Sequence, residues 1–218
     1  MMRVKRKQLL ILAVVLSVGI FLFGGAQEQI QEEWTPSIVI NEVAWSGTLA
    51  SYADEWIELY NTTDEDIDLS GWVLTWGEGD VTIYFAEAKG NTKEVRRSIV
   101  PAQSFYLLER TDDMTISDLE ADLIYKGALD NAGEILILKD AEENIIDTAN
   151  IDGEEWPAGT GRGDEPPYAS MERLDPLSQD SPENWGTNDG LRRNGLDAEG
   201  NPINGTPGEP NSTWPATP

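Results

Sequence analysis

The chain has 218 residues, 40 of them acidic and 15 basic, a formal net charge of −25, and neither a cysteine nor a histidine. That charge speaks against a nucleic-acid partner, because phosphates are met by clustered Lys and Arg. Without histidine there is no Ser-His-Asp chemistry and no usual zinc site, and without cysteine no disulfide framework.

The N-terminus differs from the rest. MMRVKRKQ (1–8) is basic, LLILAVVLSVGIFLF (9–23) is apolar, and Gly24 to Ala26 supply small residues. Residues 1–26 therefore read as a secretory signal cut after Ala26. An uncleaved membrane anchor is the alternative, since the apolar stretch reaches the lower edge of a membrane span. Either way the remainder is expected outside the cytoplasm. Residues 27–36 are polar and acidic and read as a linker.

Seven short apolar runs follow: SIVINEVAW (37–45), EWIELYN (55–61), WVLTW (72–76), VTIYF (81–85), SFYLLE (104–109), EILILKD (134–140) and NIIDTA (144–149). They are rich in β-branched and aromatic residues and are separated by turn chemistry, which predicts an all-β sandwich or barrel. In the second run Ile57 and Leu59 point one way, and Trp56, Glu58 and Tyr60 the other. In EILILKD both faces are apolar, which predicts a central strand, and DAEEN (140–144) then forms a hairpin to NIIDTA. Ser117 and Glu120 have capping-box spacing and predict one or two helical turns. Beyond Trp156 the chain is dense in Gly, Pro, Asn and Asp, and only YASMERL (168–174) reads as a further strand. The region after Trp185 is disordered by composition, or else wraps the domain and is pinned at Trp185 and Ile203.

Eight pieces, in order, carry a resemblance: IVINEVAWSG (38–47), DEWIELYN (54–61), IDLSGWVL (67–74), FYLLER (105–110), LDNAGEILILKD (129–140), IIDTA (145–149), YASMERLDP (168–176) and NGTPGEPN (204–211). Together they resemble the lamin-tail domain over residues 37–211, with 212–218 left as a tail. The resemblance implies an immunoglobulin-like antiparallel β-sandwich closed by a Gly-Thr-Pro-Gly end at Gly205 to Gly208. It also implies an exported interaction module without catalytic residues, although fold alone does not supply a function.

Several residues are candidates for chemistry. Glu42, Glu55 and Glu58 are the pair-forming carboxylates a calcium-dependent hydrolase would need, against the reading that Glu42 serves backbone groups and Glu58 faces solvent. Asp64, Asp66 and Asp68, then Asp130 and Glu134, are the candidate calcium ligands, because hard cations take closely spaced oxygens. Neither stretch fits the twelve-residue calcium loop, and solvated turns are the competing reading. Trp76, Trp156 and Trp214 lie beside loops and are candidates for stacking on a sugar. The expected function is a non-enzymatic module that binds a protein or polysaccharide at the cell surface. A hydrolase and a passive domain anchored in the membrane through residues 1–26 are the alternatives.

Overall fold

The computed structural model describes residues 35–215. The expected signal or anchor segment, the linker up to residue 34 and residues 216–218 of the tail lie outside the described residues.

The apolar runs form strands β1 (Ile38–Ala44), β2 (Trp56–Asn61), β4 (Val73–Trp76), β5 (Val81–Tyr84), β8 (Phe105–Arg110), β10 (Leu136–Lys139) and β11 (Ile145–Ala149). Less patterned stretches supply β3 (Ile67–Asp68), β6 (Thr92–Val95), β7 (Ile99–Val100), β9 (Leu123–Tyr125), β12 (Met171–Arg173) and β13 (Trp185–Thr187). A seven-stranded sheet runs β13-β12-β1-β2-β8-β9-β6, a four-stranded sheet runs β11-β10-β4-β5, and β3 pairs with β7. The fold is an immunoglobulin-like β-sandwich in which β10 is central, as its two apolar faces require. One pair departs from the expected all-antiparallel pattern: β8 and β9 run parallel.

The main core gathers Ile38, Ile40, Ile57, Leu59, Leu74, Trp76, Leu108, Leu136 and Leu138. A second, smaller cluster of Ala44, Trp56, Leu107, Ile116 and Ile203 lies on the other face of β1, β2 and β8. Both faces of the seven-stranded sheet are therefore covered, and all seven residues of β1 are buried, Asn41 and Glu42 included. The second cover is the C-terminal segment 188–214. Ile203, 4% exposed, pins that segment in the second cluster, and Trp185 of β13, 5% exposed, holds the chain just before it in the main core.

A bulge sets the faces of β1. Ile40 pairs with Leu59 and Glu42 with Glu58, so Asn41 is the extra residue. Ile40 and Val43 both reach the core, and Glu42 turns to the opposite face beside Glu58, the re-aiming a bulge produces. The helical turns expected from Ser117 are absent: residues 111–119 are turns and bends. Ser117 is tied instead to the C-terminal segment: its amide donates to the Leu196 carbonyl at 2.7 Å, and its hydroxyl lies 2.9 Å from the Asp197 carbonyl.

Candidate functional site

The predicted calcium ligands are engaged by protein donors, Asp64 and Asp66 across to the 102–103 loop and the others within their own turns. Asp64 accepts from the Gln103 side chain, Asp66 from the Ala102 amide, and Asp68 from the amide and hydroxyl of Ser70. Those Ser70 bonds hold the Asp68 carboxyl below its ordinary range. Asp130 accepts from the Ala132 amide at 2.9 Å, and Glu134 from the Asp130 amide. Among the described residues no three His, Cys, Asp or Glu side chains are grouped to hold a metal ion.

Two of the three candidate tryptophans are corrected from exposed to buried. Trp76 is 2% exposed, packs edge-on against Tyr125 and donates to the Ala128 carbonyl. Trp156 is buried, stacks on Trp45 and donates to the Asp130 carbonyl. Trp214 is half-buried, lies edge-on to Tyr60 and donates to the Arg173 carbonyl. The Trp76 and Trp156 indole N–H groups each bond a loop carbonyl, which is why these two tryptophans beside loops are inside.

The carboxylates of DEWIELYN are also corrected. Glu55 and Glu58 do not face solvent: they are 3% and 0% exposed. Glu55 pairs with Arg110 at 2.8 Å and accepts from the Leu129 amide at 2.7 Å. Burial nevertheless pushes its carboxyl up to about 7. Glu58 stands opposite Glu42, and Glu42 stands opposite Glu172 of β12. The three fully buried glutamates thus form one row across β2, β1 and β12.

The C-terminal segment is laid over that row. Thr206 donates its amide to Glu42 Oε1, and its hydroxyl oxygen lies 2.9 Å from Glu42 Oε2 and 3.0 Å from Glu172 Oε1. Ser170 reaches Glu42 Oε1, and Gly208 donates its amide to Glu58 Oε2. Asn188, the Ser212 hydroxyl and the Thr213 amide bond to Glu172. Asn41 donates to Glu58 at 3.0 Å and forms a reciprocal amide pair with Asn211. The backbone comes so close at Gly205 that a Cβ there would lie 2.7 Å from the Trp56 ring and 2.9 Å from Glu42 Oε1. Burial, then the neighbouring Glu172, raises Glu42 to about 8. Burial and Glu42 raise Glu58 well above the usual carboxylate range. Composition and alternation place Glu58 on the non-core face, but nothing local signals that this face is covered.

A family model described as Lamin Tail Domain matches residues 31–152. The chain belongs to the lamin tail domain family. No curated protein matches it. In this lamin tail domain Glu42 and Glu58 lie within the matched stretch, whereas Glu172, Thr206 and Asn211 lie beyond it.

The solvent face of the domain's four-stranded sheet has a different character. Val73 pairs with Tyr84 and Thr75 with Thr82 across β4 and β5. Ile137 stands opposite Thr75 and Thr148, and Lys139 opposite Val73 and Ile145. Ile145 is 60% exposed, and the other seven are partly exposed. Lys139 is the one charged residue among these eight, in a chain where charged residues are 25% of the total. At one end of the face an open groove of about 630 Å³ is lined by Trp76, Glu78, Glu134, Ile135, Ile137 and Lys139. Chemically, the buried row is a hydrogen-bonded anchor for the C-terminal segment, and the open face is an accessible β-surface with one charge.

Proposed function

We propose that this lamin tail domain is an exported, non-catalytic module that binds a protein partner through the solvent face of its four-stranded sheet. The observation that carries the reading is the charge pattern. A nearly uncharged, β-branched face with a single lysine interrupts the surface of a chain whose net charge is −25. Charge depletion at the centre with a polar rim is how protein interfaces differ from ordinary surface. The acidic Glu78 and Glu134 in the groove lining favour a partner with aliphatic and basic residues together, and electrostatic complementarity would set encounter rate and specificity. Protein is favoured over polysaccharide because Trp76 and Trp156 have their ring faces packed inside. A non-catalytic role is favoured because Glu42, Glu55 and Glu58 are engaged in anchoring the fold. Export rests on the basic and apolar order of residues 1–26, and sequencing the mature N-terminus tests it: Gln27 supports a cleaved signal, and an intact Met1 the anchored alternative.

The binding test uses methyl NMR of Ile137 with three probes: a peptide of alternating Lys and Val, its Glu counterpart, and an uncharged β-glucan. The basic peptide is expected to shift the Ile137 signals, to weaken with added salt, and to lose its effect on the Ile137→Ser chain. Shifts from the β-glucan alone, or peptide binding indifferent to Ile137→Ser, would overturn the reading.

A further inference from the structure

We propose that the C-terminal segment is clasped by a proton held in the Glu42–Thr206–Glu172 row, so that the segment loosens from the sheet as the pH rises. The inference rests first on counting hydrogens. The Thr206 hydroxyl oxygen is within bonding distance of Glu42 Oε2 and Glu172 Oε1, at 2.9 and 3.0 Å. A hydroxyl donates once. If both glutamates were ionised, one of these contacts would set lone pair against lone pair inside the protein. If one is a carboxylic acid, it donates to the Thr206 oxygen, Thr206 donates to the other glutamate, and every contact is satisfied. The Ser170 hydroxyl allows the same arrangement, since it lies between Glu42 Oε1 and the Asn204 carbonyl, at 3.4 Å from the latter.

The surroundings supply no other neutralising charge. Arg192 donates to the carbonyls of Asn211 and Trp214, and Arg193 to the Asn204 side chain. Arg173 points from the other face of β12 toward Asp147. Beside Glu58, Arg97 is paired with Asp122, and Glu120 adds a further negative group to the same cleft. Among the described residues no Lys or Arg ion-pairs with Glu42, Glu58 or Glu172. Like charges directly opposite one another on adjacent strands are destabilising, and burial in low dielectric disfavours the charged form further. Lifting the segment readmits water and relieves both costs, so ionisation favours opening.

Burial, reinforced by Glu172, raises Glu42 from 4.5 to about 8 in the closed state. A group raised in this way contributes stability that is fully present below its unfolded value and is lost as the pH climbs through its folded value. The closing contribution is therefore full below about pH 4.5, falls between there and about pH 8, and is gone above.

The test measures amide-exchange protection factors on the full chain from pH 5 to 9, corrected for intrinsic exchange. The reporters are the Thr206, Gly208 and Thr213 amides, with Leu138 of β10 as the internal standard. For one proton the opening constant of the reporters should rise about tenfold per pH unit up to about pH 8 and then level off, while Leu138 stays constant. Glu42→Gln, whose amide replaces the acid's donor, should flatten that slope, and Glu172→Gln provides the same comparison if the first variant does not fold. Infrared spectra of the unaltered chain at pH 6 should show a buried carboxylic-acid carbonyl band that disappears at pH 9. Reporter protection independent of pH, an unchanged slope in the folded glutamine variant, or no acid band at pH 6 would each overturn the proposal.

Discussion

Arg173 of β12 and Asp147 of β11 meet inside the sandwich, Nη2 to Oδ2 at 2.6 Å, with side chains 0% and 1% exposed. The pair joins β12, next to the edge of the seven-stranded sheet, to the edge strand of the four-stranded one. Both partners also hold the β1 bulge: Arg173 donates to the Ile40 carbonyl, and Asp147 accepts the Ile40 amide at 2.7 Å. The guanidinium lies 4.7 Å from the Trp185 ring centre, so the same residue fixes the start of the covering segment.

Removing one member of such a pair leaves an uncompensated buried charge. Asp147→Ala is expected to cost about 3–5 kcal/mol, read as a lowered urea midpoint with an unchanged slope. The double variant Asp147→Leu with Arg173→Met should recover much of that loss, because well-packed apolar residues often replace a buried ion pair without penalty. A single variant as stable as the original chain would mean that water reaches the pair.

Asn211 is fully buried and bonds reciprocally to Asn41 while donating to the Arg173 carbonyl at 2.9 Å. Asn211→Ala leaves the Asn41 side-chain oxygen without its donor and removes one of the two donors to the Arg173 carbonyl, Trp214 being the other, with an expected loss of about 1–3 kcal/mol. Trp214 follows three residues later and rests on Tyr60, so its fluorescence should shift to the red as its cover detaches. Unaltered emission and melting would place the anchoring of the segment elsewhere.

Gly133 holds φ +110, and a Cβ there would lie 1.9 Å from the Glu154 carbonyl oxygen. Neither the conformation nor the space admits a side chain, so Gly133→Ala should destabilise by more than about 1 kcal/mol. Since Gly133 and Gly153 both line the groove beside Ile137, the same change should broaden the Ile137 methyl signals. Sharp, unshifted signals in a stable variant would contradict the close packing of this turn.

Calcium titrated into the full chain is expected to give no saturable heat and no rise in melting temperature. Asp64, Asp66 and Asp68 direct oxygens at neighbouring donors rather than at a common point. A ligand that binds the folded state alone must stabilise it by mass action, so a saturable upward shift would restore these carboxylates as a cation site.

Local periodicity was enough to place β1, β2, β4, β5, β8, β10 and β11, the hairpin at Asp140 to Asn144 and the all-β class, because strand geometry alternates residue by residue. It did not show β3, β6, β7, β9 or β13, which are two to four residues long and are held by pairing with distant neighbours. The eight ordered pieces also identified the family from the residues alone. Tertiary structure decided which faces are closed. In EWIELYN alternation puts Glu58 opposite Ile57 and Leu59 whether that face meets water or protein, and only the fold lays Gly208 and Thr206 over it. The Asn41 bulge depends on Asp147, more than a hundred residues away, and it alone turns Glu42 toward Glu58 and Glu172. A side chain's direction along a strand is a property of a few bonds. Its burial depends on where the rest of the chain returns, and here the return comes from the last thirty residues or so.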